Sequence, residues 1–414
     1  MKRYFFLLLL IVVGIETVSA QSADMLELSM PFLKNIETVV RNNEGYISFA
    51  QGALRVSGGV NPAIKQYVQE ILQTDKADYY QNALGILPLR EKLAEVLARE
   101  HDIPLSVDNV MISHGGSGAL SCLGLTLLKT GDEVILLEPS YPVYESIVKF
   151  CKAVPVVVPA LTMKQVDDKL QWVFDSTAIE RAITDRTKMI MLSNPSNPCG
   201  SVLSREELCH LIKIAEDHKI YLVVDEVYDD FVFDITFHSS MPFILKSERL
   251  MRVGSFSKGL GMSGWRIGYL VAPAHLIKGI SMVQGAAFNC PNVIGQYAAL
   301  YGLEHKNDIM PLAVDKIQQS RDIACAFFDH LQEQGVISYV KPMGGFYLLF
   351  KTHDEDSLDF VMDVLHEAKV AMAPGSDFGA TAKPFVRLCF ARDPEVVSEG
   401  IKRLQDYFTR KLGA

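Results

Sequence analysis

Between residues 61 and 290, short apolar runs rich in β-branched side chains alternate with stretches whose apolar positions recur at helical spacing. This is the pattern of a parallel sheet covered by helices on both faces. The runs predict strands at residues 110–113, 133–137, 189–192, 221–224, 251–253 and 267–272. Helical periodicity is clear over 89–99 and 205–218, and before the second of these Ser204 followed by Glu207 reads as a capping box. Past Pro291 a long helical pattern at 308–332 leads into strands at 347–350 and 385–390. The predicted fold class is α/β. A large domain over 61–290 carries a mostly parallel central sheet with helices on both faces, and a smaller α+β domain is formed by both chain ends, 24–60 and 291–414.

Length and charge narrow the function. A chain of 414 residues is long for one simple core, which supports two packed domains. The net charge of -9 comes without any block of Lys and Arg, so no nucleic-acid partner is expected. The seven cysteines are scattered, without the close pairing of a zinc or redox motif, and read as reduced core thiols; no metal is expected. At the amino end, Lys2 and Arg3 precede an apolar run over 4–13, and Val18-Ser19-Ala20 has the form of a signal-peptidase site. Residues 1–23 thus read either as a secretion-type signal or as an extension ahead of a true start at Met25 or Met30. Membrane contact is expected only if residues 1–20 are retained. Sequencing the amino end of the protein made by its own host separates the two readings: Gln21 marks cleavage, Met25 or Met30 a later start.

Several predicted strands end directly in polar residues, and in open α/β sheets ligands sit beyond the carboxyl ends of strands. The run Tyr221-Leu222-Val223-Val224 delivers Asp225 at the mouth of a buried strand, followed by Tyr228. That carboxylate suits a cationic partner such as a protonated pyridine nitrogen, or it caps a helix. After Met251-Arg252-Val253 come Ser255, Ser257 and Lys258 among glycines, then Arg266. A lysine in a dry, cationic pocket is freed to attack a carbonyl, and the serines and Arg266 suit a phosphate; the plain alternative is a solvated surface lysine. The turn His114-Gly115-Gly116-Ser117-Gly118 opens a helical stretch where an anion would be welcome, or is simply a tight loop. Asn194-Pro195 and Asn197-Pro198 make an extended, rigid loop that positions side-chain amides, or an ordinary turn. Tyr141 stacks on a flat ring or packs internally. Arg387, alone in an apolar strand, requires a partner, either a substrate carboxylate or an internal acid.

Together and in this order, the Asn-Pro-x-Asn-Pro loop, Asp-Glu-x-Tyr, Ser-x-Ser-Lys with Gly-Trp-Arg-x-Gly, and the late arginine resemble the aspartate-aminotransferase family of pyridoxal-phosphate enzymes, class I/II and fold type I. The likeness spans nearly everything from Asp24 onward. It implies pyridoxal 5'-phosphate as cofactor, carried by Lys258 as a Schiff base, with Asp225 on the pyridine nitrogen and Tyr228 and Asn197 on the ring oxygen. It implies Gly116, Ser117, Ser255 and Arg266 at the phosphate, Tyr80 reaching the phosphate of a neighbouring subunit in a homodimer, and Tyr141 stacked on the ring. Arg387, Asn197 and Gly52 would meet an amino acid and a 2-oxo acid as substrates. The expected activity is transamination, and the expected compartment is the cytoplasm, where the cofactor resides, with export or membrane anchoring through residues 1–20 as the alternative. A β-lyase or a cyclopropane-forming synthase shares every cofactor contact, and a non-catalytic cofactor-binding sensor is a third reading. This sequence departs from the family pattern at Gly52-Ala53-Leu54, at Gly259 after the lysine, at Cys199 and at Asp377. These departures leave the substrate side chain open, with Arg55 as a candidate contact for a second carboxylate.

Overall fold

The protein is described by a computed structural model covering residues 31–412, so the signal-like segment and the candidate starts lie outside the described residues. Its centre is a seven-stranded sheet ordered Val110–Ser113, Gly268–Val271, Leu250–Ser255, Tyr221–Asp225, Thr187–Ser193, Glu133–Leu137, Val154–Val158. Gly268–Val271 runs antiparallel to both neighbours, and the other pairings are parallel. The inner strands are mostly apolar because both faces are covered, with Arg252 the buried charged exception in mid-strand. Ile112, Ile135, Ile190, Leu222 and Val224 enter one core, while Met111, Val134, Met189, Met191 and Val223 enter the core on the opposite face.

Two elements escape the sequence pattern. The edge strand Val154–Val158 contains Pro155, which argues against a central strand but is tolerated where one side of the ladder is free. The hairpin Leu161–Val166 with Lys169–Phe174 is half exposed and lacks a clear alternation. The capping box is as expected: Ser204 Oγ accepts from Glu207 N at 3.2 Å, and Glu207 returns the bond to Ser204 N at 2.8 Å.

The smaller unit holds a four-stranded antiparallel sheet, ordered Ser338–Tyr339, Tyr347–Lys351, Phe385–Cys389, Ala373–Pro374. The amino end joins it as Ile47–Ser48 pairs in parallel with Val370–Ala371. Arg392, buried, then draws in the following loop by donating to the carbonyls of Ser48 (3.0 Å), Ala53 (2.8 Å) and Gln51 (3.2 Å). With Nε, Nη1 and Nη2 each donating to a carbonyl of this segment, one guanidinium straps the loop that follows the short strand. Among the described residues no helix is long and apolar enough to cross a membrane.

Next to the strand end at Asp225 lies a buried ionic cluster. The Arg252 side chain is fully buried and donates through Nε to Glu226 at 2.6 Å and through Nη2 to Asp229. Glu226 also accepts from Ser239 Oγ and Ser240 N, each at 2.6 Å. The turn that follows Asp225 is therefore held from behind. Removing one partner of such a cluster leaves an uncompensated buried charge, so Arg252→Leu is expected to lower the unfolding free energy by about 3–5 kcal/mol. Urea denaturation measures this, and a loss below about 1 kcal/mol would show that Glu226 and Asp229 find other partners.

Candidate active site

The site forms where the strand ends of the large sheet meet the amino-end loop. Leu250–Ser255 finishes at Ser255, whose Oγ accepts from Ser257 N at 3.1 Å and so caps the short helix Phe256–Gly259 that carries Lys258. Lys258 Nζ donates to the carbonyl of Gly52 at 2.6 Å and lies 5.4 Å from the Tyr228 ring centre and 5.6 Å from that of Phe346. Burial pushes its amine down to about 8; the Arg387 and Arg266 charges act in the same direction, and Asp225 opposes them. Half-buried on the lining of the cavity, Lys258 is not a freely solvated surface lysine.

Asp225 closes the adjacent strand. Its Oδ2 accepts from Tyr144 Oη at 2.7 Å and its Oδ1 from Val227 N at 3.4 Å. Residues 227–230 form a turn rather than a helix, so the carboxylate is not a helix cap. Burial holds it up at about 6, with Tyr144, Val227 and Lys258 pulling the other way. Three residues on, Tyr228 Oη sits 2.8 Å from Tyr347 Oη and accepts from Asn197 Nδ2 at 3.4 Å. Asn197 is fixed by its own loop, where its N–H donates to Ser193 Oγ at 3.0 Å and Asn194 Oδ1 accepts from Leu203 N at 2.9 Å.

Arg387 is almost fully buried and donates Nη1 to Asn197 Oδ1 at 3.0 Å and Nη2 to the Ala50 carbonyl at 2.6 Å, while its Nε is unpartnered. The rings of Tyr347 and Phe378 flank it, each centre 4.4 Å away. No ion pair joins it to a described carboxylate, so the internal-acid alternative is not realised. Gly116 and Ser117 begin the helix Gly115–Leu127, with Arg266 beside them. Gly115 is required twice over: its φ is +71°, and a Cβ there would lie 2.6 Å from Arg266 Nη2. Tyr141 is hydrogen-bonded with Ser117 and meets Tyr144 edge-on, ring centres 5.5 Å apart.

One cavity therefore gathers Gly116, Ser117, Tyr141, Asn197, Asp225, Tyr228, Ser255, Lys258 and Arg266. It continues into a second that adds Gly52, Tyr347 and Arg387. Tyr80 lies elsewhere, 84% exposed. Arg55 is absent from both linings and donates to Gln51, which does line the second. Tyr144, Tyr347 and Arg392 were not anticipated. Tyr144 had a signal in its helical spacing from Tyr141, and Tyr347 in its place after Gly344-Gly345; Arg392 had none.

The family model of class I and II aminotransferases matches residues 44–404. An aspartate aminotransferase of Thermotoga maritima is 32% identical over 333 residues, 80% of this chain and 84% of that protein. A probable N-acetyl-LL-diaminopimelate aminotransferase of Bacillus subtilis is 31% identical over 395 residues, 94% of this chain and 95% of its own length. A solved structure of a Thermus thermophilus aspartate aminotransferase mutant superposes with a TM-score of 0.82 at 29% identity, covering 94% of this chain and 99% of that one. Fold and site define a fold type I enzyme of the pyridoxal-phosphate class. The chain belongs to the class I and II aminotransferases, pyridoxal-phosphate enzymes that pass an amino group between an amino acid and a 2-oxo acid by way of a lysine.

The residues present fit that cofactor. Arg266 has no carboxylate partner among the described residues and stands at the start of a helix, where an anion is stabilised. Asp225 is a buried carboxylate without an ion-pair partner, suited to a ring cation, and Lys258 is a half-buried amine of lowered basicity, suited to a carbonyl.

An unpaired Asp225 has a measurable cost. Its carboxyl is held at about 6 against an ordinary value of 3.8. Relative to the unfolded chain it therefore destabilises the cofactor-free protein above pH 6, and this cost vanishes below pH 3.8. Asp225→Asn retains an acceptor for Tyr144 and is expected to raise the unfolding free energy of the cofactor-free protein at pH 8 by about 1–3 kcal/mol. Denaturant titration with and without cofactor measures it; an equal or lower stability of the cofactor-free variant contradicts the assignment.

Proposed function

We propose that the chain is a pyridoxal-phosphate transaminase in which Lys258 holds the cofactor and moves the proton. The observation that carries this reading is the convergence of Lys258, Asp225 and Arg387 on two joined cavities, Asp225 and Arg387 buried and Lys258 half-buried, none of the three in an ion pair with a described residue. Gly116, Ser117, Ser255 and Arg266 would hold the phosphate, Asp225 the pyridine nitrogen, Tyr228 and Asn197 the ring oxygen, and Tyr141 would pack on the ring. When bound, the cofactor would supply a carbonyl and an electron-withdrawing ring, the chemistry by which an amino group can be held between two oxo acids.

Arg387 grips the α-carboxylate with its fork and frees Nε for it, while Tyr347 and Phe378 fix the plane of the guanidinium. This grip sets the Cα–H toward Lys258. With its amine lowered to about 8, Lys258 has a useful neutral fraction near physiological pH and takes the Cα proton at Nζ as general base. The Gly52 carbonyl, strapped by Arg392 through its neighbours, supplies Nζ with an acceptor and so fixes where the amine points.

The domain boundaries fall near residues 61 and 290. A homodimer is supported by the exposed Tyr79, Tyr80, Met282 and Phe288 on one region, where Gln81 N donates to Cys290 Sγ and Gln284 to the Ala83 carbonyl. In that dimer Tyr80 reaches the partner's phosphate. Seven free thiols support a reducing compartment, and we place the enzyme in the cytoplasm.

Absorbance spectra of the purified holoenzyme test the reading. Addition of an amino acid is expected to replace the cofactor's lysine-bound band by that of pyridoxamine phosphate, a 2-oxo acid is expected to restore it, and Lys258→Ala is expected to slow the exchange by at least about a thousandfold. Release of ammonia or a non-transaminated product would instead make the protein a lyase or synthase.

A further inference from the structure

Tyr228, three residues past the strand end at Asp225, and Tyr347, the first residue of a strand in the small sheet, bring their hydroxyl oxygens to 2.8 Å. Both side chains are buried, and burial pushes both hydroxyls up from their ordinary range, so each keeps its proton near neutrality. Two protons thus belong to two facing oxygens, and only one of them can bridge the pair. The other must point elsewhere.

The neighbours decide which. Asn197 Oδ1 accepts from Arg387 Nη1 at 3.0 Å, and since a guanidinium only donates, the amide is fixed with Nδ2 toward Tyr228 Oη at 3.4 Å. Tyr228 Oη therefore already accepts one bond. Tyr347 Oη has no hydrogen-bond partner among the described residues except Tyr228. It is also pinned in place, because Gly52 packs so closely that a Cβ there would lie 2.0 Å from that oxygen. Were Tyr228 to donate to Tyr347, the Tyr347 proton would be left buried with no described acceptor, which costs free energy. Tyr347 borders the outer cavity but is only 1% exposed, so solvent there is a poor substitute. The favoured arrangement has Tyr347 donating to Tyr228, and Tyr228 turning its own proton into the cavity it lines with Asp225 and Lys258, a lining that Tyr347 does not join.

We propose that Tyr347 is a positioning residue for the cofactor's ring oxygen: by donating to Tyr228, its hydroxyl aims the Tyr228 proton at that oxygen and strengthens Tyr228 as a donor. The inference rests on the reading above that Tyr228 bonds the ring oxygen. An oxygen that accepts two hydrogen bonds donates its own proton more strongly to a third partner, because bonds in a chain polarise one another. A stronger donor at the ring oxygen stabilises its negative charge, most of all when the lysine-linked nitrogen of the cofactor carries no proton, and so lowers the pH at which that nitrogen loses its proton.

Tyr347→Phe keeps the ring against Arg387 and leaves Tyr228 Oη its bond from Asn197, so it removes one donor and orphans no buried group. The measurement is a pH titration of the lysine-bound cofactor's absorbance in the holoenzyme, for the wild type, Tyr347→Phe, Tyr228→Phe and the double variant. The midpoint is expected to rise by about 0.5 unit or more in Tyr347→Phe and by about 1 unit or more in Tyr228→Phe, which loses the direct donor. In the double variant it is expected to match Tyr228→Phe alone, since Tyr347 acts through Tyr228. An unmoved midpoint in Tyr347→Phe, or the same rise when that change is added to Tyr228→Phe, overturns the proposal. If Tyr228→Phe itself leaves the midpoint where it was, Tyr228 does not bond the ring oxygen, and the reading beneath the proposal fails and takes it along; the two failures are told apart by that single variant.

Discussion

A charged group taken out of water without an opposite charge raises the energy of the fold, and this structure keeps two buried ones, Asp225 and Arg387, and a half-buried one, Lys258, within one pair of joined cavities. Lys258 is answered only by a carbonyl, Asp225 by a tyrosine hydroxyl and one backbone N–H, and Arg387 by an amide and a carbonyl with one N–H left over. Hydrogen bonds of this kind offset part of the desolvation and leave the charge itself unmet. Such a site depends on rigid walls, and on the proposed reading a carbonyl, a cation and a carboxylate would answer the three groups.

The rigidity has identifiable sources. Arg252 locks the turn after Asp225 through Glu226 and Asp229, so Asp225 and Tyr228 keep their relative positions. Arg392 performs the same office for the amino-end loop, where backbone without sheet partners would otherwise leave Gly52 free to drift from Lys258. A Cβ on Gly52 would collide with the ring of Tyr347, and the tyrosine pair Tyr228–Tyr347 in turn connects the large sheet to the small one. Elements far apart in the chain thus meet at one lysine, each held by a polar cluster placed outside the cavity.

Much of this was legible in the sequence because burial on both faces writes a strand as an uninterrupted apolar run, and its abrupt polar ending marks the ligand side of the sheet. Tyr221–Asp225 is of this kind and carries Asp225, while Leu250–Ser255, broken only by Arg252 before its polar end, leads into Lys258. Val154–Val158 was not legible, since an edge strand tolerates the proline that would exclude a central one. Within the site, what escaped were residues whose role depends on contacts across the chain. Arg392 acts on backbone more than 300 positions earlier, and Tyr347 reaches Tyr228 from the other sheet. Arg55 drew attention by its nearness in sequence to Gly52, but the backbone there is bridged to Arg392 and the side chain turns to Gln51.

The central claim is that Lys258, out of all the lysines of the chain, bears the cofactor. Borohydride reduction of the holoenzyme followed by proteolysis and mass spectrometry addresses it directly. The account predicts a single phosphopyridoxyl group on the peptide containing Ser257-Lys258-Gly259, absent when the amino acid substrate is added before reduction. A label on a different lysine, or none on a protein that shows the cofactor's absorbance, would contradict it.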